Sequence, residues 1–192
     1  MITLMLIALA IGMIRNRRFH LQEARHKKFA KKYDLNLAYM NEKDFTMFGN
    51  FRSYPITLCN AEAGNPEAIQ GVKIYIPMTN PSRKSIRIVR GDDKHPPLVQ
   101  FAPFAHALRI PFDVAFSLRA ETNDLVFSSL ILSDDVRIGI YQLFNKIEAG
   151  ILYLHDEELA CFFPDFFVHN NMANLYHEAM ELLADIKDEL NQ

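Results

Sequence analysis

The chain has no tryptophan, two cysteines and seven glycines in 192 residues. Each shortage narrows what the protein can be. Cys59 and Cys161 stand about a hundred positions apart, far from any C-x-x-C zinc or redox spacing. A secreted disulfide scaffold would use more bridges, so a reducing compartment is expected, with both thiols as small buried strand residues. The scarce glycines form no G-x-x-x-x-G-K-[ST], G-x-G-x-x-G or G-x-S-x-G. Phosphate-cradling loops and a hydrolase nucleophile elbow therefore lose their usual sequence support. No internal repeat or low-complexity tract occurs.

What the chain does have is 49% hydrophobic and 23% charged residues, the balance of one folded globular domain. Its net charge of −2 conceals an asymmetry. Eight of the 21 Lys/Arg lie between positions 15 and 32: Arg15, Arg17, Arg18, Arg25, Lys27, Lys28, Lys31 and Lys32. Only one of the 23 acids, Glu23, shares that stretch, which leaves 13 basic and 22 acidic residues elsewhere, a net of −9. An acidic body repels phosphate backbones, so no nucleic-acid partner is expected.

Met1 to Ile14 carry no charged side chain. Fourteen helical residues span about 21 Å, short of the ~30 Å hydrocarbon core, but snorkelling arginines can extend the reach. The positive charges follow the apolar run, the reverse of a signal peptide, and act by position as a cytoplasmic retention signal. The expectation is a single-pass transmembrane anchor over residues 1–14 in the inner membrane, N-terminus out. The lipid bilayer would be one partner, touched also by the basic collar. A basic juxtamembrane helix over 15–33 follows, either a polar stalk or a face docked on the body. A single domain over 34–192 would then face the cytoplasm.

Period-two alternation predicts strands at 35–39, 72–76, 85–89 and 112–119, and further short strands are expected at 54–59, after a turn at Gly49-Asn50, and at 98–104, with a loop over 61–71. Residues 72–76 and 85–89 read as one hairpin, and Phe112 to Arg119 as the clearest strand. Helical spacing follows over 123–132. Ser133 then caps a helix bearing Val136, Ile140, Leu143, Phe144 and Ile147, ended by Gly150. Ile151–Leu154 and Leu159–Phe163 flank a polar turn. The last segment places Met172, Leu175, Tyr176, Ala179, Leu182, Leu183, Ile186 and Leu190 on one helical stripe behind a cap at Asn170 or Asn171. Without regular β-α-β alternation the fold class is α+β: an N-terminal transmembrane helix and stalk, then a mainly antiparallel sheet with a C-terminal amphipathic helix.

Four residue sets could carry chemistry. His177, Glu181 and Asp185 fall in line at spacings of four and could ligate a metal, although any solvated acidic face looks the same. Asp134-Asp135 could act as paired carboxylates, yet a helix first turn explains both. His155, Asp156, Glu157 and Glu158 occupy the polar turn, where such residues are ordinary. Cys59 or Cys161 could be a nucleophile only beside a histidine. The aromatic cluster Phe162-Phe163-Pro164-Asp165-Phe166-Phe167 fits core packing around a Pro-Asp turn better than a contact patch. No cofactor is implied.

In its spacing of Phe29-Ala30, Tyr33-Asp34-Leu35, Gly49 and Tyr54-Pro55, the chain resembles bacterial membrane-anchored domains of unknown function. The same order continues through Phe112 to Phe116, Leu132-Ser133-x-x-Val136-Arg137, a hairpin and an acidic closing helix. That resemblance implies an anchored single domain and supplies no active-site residue. The expected function is a membrane-tethered, non-enzymatic domain that binds a protein partner. The alternatives are a tethered hydrolase or metal-dependent enzyme and a lipid-surface sensor using the collar.

Overall fold

In a computed structural model of the chain, the described residues form nine strands in one antiparallel sheet, and their helices gather on one of its faces. The structure describes residues 13, 20–40, 44–63, 69–79, 83–90, 108–113, 118–147, 150–155, 157–164 and 172–191. The strands are β1 (Asn36–Tyr39), β2 (Phe45–Phe51), β3 (Tyr54–Ala63), β4 (Ile69–Pro77), β5 (Ile86–Arg90), β6 (Leu108–Asp113), β7 (Leu118–Thr122), β8 (Gly150–Leu154) and β9 (Glu158–Pro164). The helices are α1 (residues 20–32), α2 (Leu125–Ile131), α3 (Asp134–Phe144) and α4 (Met172–Leu190).

Alternation sets the core. Ile56, Leu58, Val72, Ile74, Ile76, Ile88, Leu152, Leu154, Leu159, Cys161 and Phe163 all turn to the helical side and are buried. The expected stripe of α4 meets them, with Leu175, Tyr176, Ala179, Leu182, Leu183 and Ile186 buried as its spacing requires. The docked alternative holds for the basic helix. Its His26, Phe29 and Ala30 are buried, and the Phe29 ring meets Tyr176 edge-on at 5.6 Å. Asp34, at φ 53°, then reverses the chain, and the Leu35 N–H donates to the Ala30 carbonyl.

The α+β, mainly antiparallel part of the expected fold class is observed, whereas its transmembrane helix is not. Among the described residues no helix is long and apolar enough to cross a membrane. The reason is one of length and charge. The apolar run is shorter than a bilayer core, and the helix that could have lengthened it carries five Lys/Arg and Glu23 within residues 20–32. The single-pass, inner-membrane placement is corrected on the same ground. The anchor at residues 1–14 (Met13 apart) and Arg15, Arg17 and Arg18 lie outside the described residues.

Strand order departs further from sequence expectation: β1-β2-β3-β4-β9-β8-β5-β7-β6. β4 and β5 do not pair, because the β8–β9 hairpin inserts between them. Phe112 to Arg119 is not one strand. β6 ends at Asp113 and β7 begins at Leu118, and the two pair antiparallel with Asp113 opposite Leu118. Of the expected loop at 61–71, residues 61–63 belong to β3 and residues 69–71 to β4, and residues 64–68 lie outside the described residues. The strand expected at 98–104 and the cap at Asn170 or Asn171 lie outside the described residues.

Gly49 is not in a turn but within β2, where a Cβ would sit 2.8 Å from Leu35 Cδ2 and 3.2 Å from the Asp34 carbonyl. Its missing side chain lets the α1–β1 connection lie against β2. The turn itself is Arg52-Ser53, with φ of 48° and 71°, the left-handed geometry of a two-residue hairpin. Gly150 opens β8 instead of ending α3, which stops at Phe144. Phe162 and Phe163 are both buried on opposite sheet faces; residues 165–167 lie outside the described residues.

Candidate functional site

The candidate metal set on α4 is redirected by Arg52. This guanidinium, carried on the left-handed hairpin turn, reaches Glu181 Oε2 at 3.0 Å, Asp185 Oδ1 at 2.5 Å and Asp188 Oδ2 at 2.6 Å. Three carboxylates at spacings of four and three on one helix face thus converge on a single cation. Their hydrogen bonds and charge hold the guanidinium well above its ordinary pKa, against the desolvation that burial imposes. The Tyr54 hydroxyl donates to Asp188 and accepts from the Asn191 amide, and the Asp188 bond raises its pKa. His177 keeps its Nε2 3.8 Å from Glu181 Oε1, while its ring stacks on Tyr33 at 5.0 Å with Phe51 edge-on at 6.0 Å. The set is therefore a clamp tying the β2–β3 turn and the end of α1 to α4. Among the described residues, no group of His, Cys, Asp and Glu is arranged to hold a metal.

The clamp's side chains are 39% to 49% exposed, so its electrostatic worth is that of a surface network. Replacing Arg52 with Ala is expected to cost about 1 kcal/mol in dilute salt, because three carboxylates then face one another. The loss should shrink by roughly half in 0.5 M salt, read from denaturant midpoints. A salt-independent loss would assign Arg52 to packing.

The other sets separate. Asp134 and Asp135 lie in the first turn of α3, where the helix dipole accounts for them. Ser133 precedes that helix with no side-chain cap bond, whereas Asp124 caps α2 by accepting the Phe127 N–H at 3.0 Å. That bond, with Lys84 nearby, lowers the Asp124 pKa. The His155 N–H donates to the Glu158 carbonyl and closes the β8–β9 turn, while the Glu157 carbonyl accepts from the Met78 N–H and ties that turn to the end of β4. Asp156 lies outside the described residues. The two cysteines are free and point to opposite faces of the sheet. Burial raises both thiols' pKa, with Lys73 only partly opposing this at Cys59, so neither is a thiolate near neutrality.

Glu158 does enter a constellation, though not with His155. Its carboxylate accepts from Lys73 Nζ at 3.0 and 3.3 Å and from the Tyr153 hydroxyl at 2.5 Å. The Lys73 ammonium also lies 4.5 Å from the Tyr75 ring centre. Two strands further on, Arg87 and Glu121 stand directly opposite each other and form a buried ion pair, and Arg87 is in register with Tyr153. Together these residues make a polar belt over the sheet face turned away from the helices. Desolvation, then the Glu158 bond, pushes the Tyr153 phenol up, so it stays protonated. The belt joins strands through compensated charges and leaves no base or nucleophile poised. Lys73, Tyr153, Arg87 and Glu121 gave no sequence signal. Each is one polar residue at the alternating position of a different strand, and only the strand order aligns them.

Beyond the belt, the same face between β1 and β3 presents Asn36, Ala38, Thr46, Phe48, Asn50, Pro55, Thr57, Cys59 and Ala61, all uncharged. Phe48 is 47% exposed there, and Met40, just after β1, is 81% exposed. Arg25, Lys27, Lys28, Lys31 and Lys32 of the collar are exposed on α1. Lys27 pairs with Glu23 at 2.6 Å, and Lys32 lies over the Tyr33 ring at 4.7 Å.

No family model and no curated protein matches the chain. Among solved structures it is similar to the mycobacterial trehalose monomycolate transport factor A, TtfA, at a TM-score of 0.57 and 12% identity over 87% of this chain and 93% of that one. Likeness at that identity extends to the fold and no further.

Proposed function

We propose that this chain is a non-enzymatic binding domain that receives a protein partner on the open sheet face between β1 and β3. The observation that carries this reading is the inequality of the two faces. Helices cover one, while the other has no charged side chain across three strands and exposes Phe48 and Met40. An uncharged face with an aromatic anchor is what a protein interface uses, since desolvating it costs little and burying the ring is favourable. The solved structure with this fold is named a trehalose monomycolate transport factor, and a transport role is compatible with binding in place of turnover.

The test is site-specific photocrosslinking in intact cells, with the crosslinker at Phe48 or Thr57 and, as a control, at exposed Ser129 on α2. Discrete adducts from the two sheet positions alone are expected. A Phe48→Asp change should reduce the Thr57 adduct about tenfold while leaving thermal stability in place. Equal labelling from all three positions, or an adduct indifferent to Phe48→Asp, would remove the proposal.

A further inference from the structure

We infer that β1 is a docking edge, and that it takes an extended segment of alternating apolar and acidic residues from another protein as a tenth strand. The inference rests on the binding-domain reading and specifies the partner's chemistry.

The sheet has two edges, β1 and β6, and they are built differently. β6 carries Pro111 and a register shift between Pro111 and Asp113, two devices that discourage a further strand. β1 has neither. Its four residues, Asn36-Leu37-Ala38-Tyr39, include no proline and no charge. The Met40 N–H donates to the Asp44 carbonyl, so alternation assigns Ala38 and Asn36 to the bonded positions against β2. The backbone N–H and C=O of Leu37 then point outward. The neighbouring outward N–H, that of Leu35, is taken by the Ala30 carbonyl, which shows where α1 lies relative to this edge.

That position sets the sign of the partner. α1 runs beside β1, held by the His26 contacts to Tyr39 and Phe45. Its Phe29 side faces α4, so the opposite flank overhangs the edge. Glu23 lies on this flank, close enough for its charge to act on Tyr39, and Lys27 and Lys31 follow one and two turns later. Glu23 is already bonded to Lys27, and over residues 20–32 five Lys/Arg face this single acid, a net of +4. A second copy of the chain would bring the same lysine flank against itself. An acidic segment meets the opposite charge there, while its apolar residues point the other way, toward Phe48 and the open face.

The experiment uses the full chain and three synthetic ten-residue peptides. One alternates Val and Glu, one alternates Val and Lys, and one has the Val/Glu composition with two central prolines. The Val/Glu peptide should bind at least about tenfold more tightly than either other, and slow amide exchange at Leu37. Leu37→Pro removes the outward N–H and should abolish binding. Because Leu37 also packs against the core, a Lys27→Glu/Lys31→Glu double variant serves alongside it and should weaken binding about tenfold with the fold intact. Equal binding of the proline peptide, unchanged exchange at Leu37, or concentration-dependent dimerisation abolished by Leu37→Pro would each overturn the inference. If Phe48 crosslinks persist while the peptide fails, the edge is wrong and the open face stands; if crosslinks also vanish, the binding-domain reading falls separately.

Discussion

Leu183→Asp is expected to give a chain with no cooperative unfolding transition. Leu183 is fully buried in α4, between the sheet and the neighbouring helices. Truncating a buried leucine alone typically costs 2–5 kcal/mol, and an unpaired carboxylate adds the penalty of desolvating a charge. The sum, roughly 5 kcal/mol or more, is comparable to the whole stability of a domain this size. Neighbouring Leu182, Ala184 and Ile186 are also buried, so the helix cannot rotate to release the aspartate without burying other polar groups. Circular dichroism against temperature is the measurement. A soluble variant with a sharp transition within a few degrees of the parent would show that α4 does not close the core.

Stability is expected to fall between pH 7 and pH 4 because of His26. This imidazole is buried at the seam between α1 and the β1–β2 edge, 4.1 Å from the Phe45 ring centre, with Nδ1 3.2 Å from the Tyr39 hydroxyl. Burial lowers its pKa from 6.5 to about 4. The partner phenol is moved the other way, up to about 12, by its own burial and then by Glu23. Since the folded pKa is depressed, the unfolded chain takes up the proton first. The contribution is complete above about pH 7, shrinks as pH falls through 6.5, and is gone below about 4. The loss over the full window is about 3 kcal/mol, of which about 2 kcal/mol has gone by pH 5. His26→Gln keeps a hydrogen-bonding group toward Tyr39 but cannot titrate, so its urea midpoint should drop less between pH 7.5 and 5.0 than the parent's. Equal drops in the two proteins would mean that other groups, such as the Asp124 cap, carry the acid sensitivity.

The elements whose faces were legible are those with a strong local period. The α4 stripe and the alternation in β4 and β5 name buried residues correctly, because burial on one face needs only the local geometry of helix or strand. Turn chemistry was less legible. Gly49 looked like a turn and instead makes room for Leu35, while Arg52 and Ser53 adopt left-handed geometry with no glycine to announce it. The clamp of Arg52 on α4 helps to hold that turn, and a contact across 129 to 136 positions leaves no local trace. The meeting of Glu181 and Asp185 with Arg52 is hidden for the same reason: that guanidinium comes from a hairpin far away in the chain.

Composition and periodicity by themselves determined the α+β class, the charge asymmetry between residues 15–32 and the body, and which side of each strong element is apolar. Tertiary structure decided the strand order, the docking of α1 through His26 and Phe29, the polar belt and the two unlike edges. The division follows from the range of the forces. A side chain's direction is set within a few residues by backbone geometry, whereas its neighbour across a sheet is chosen by the packing of the whole chain.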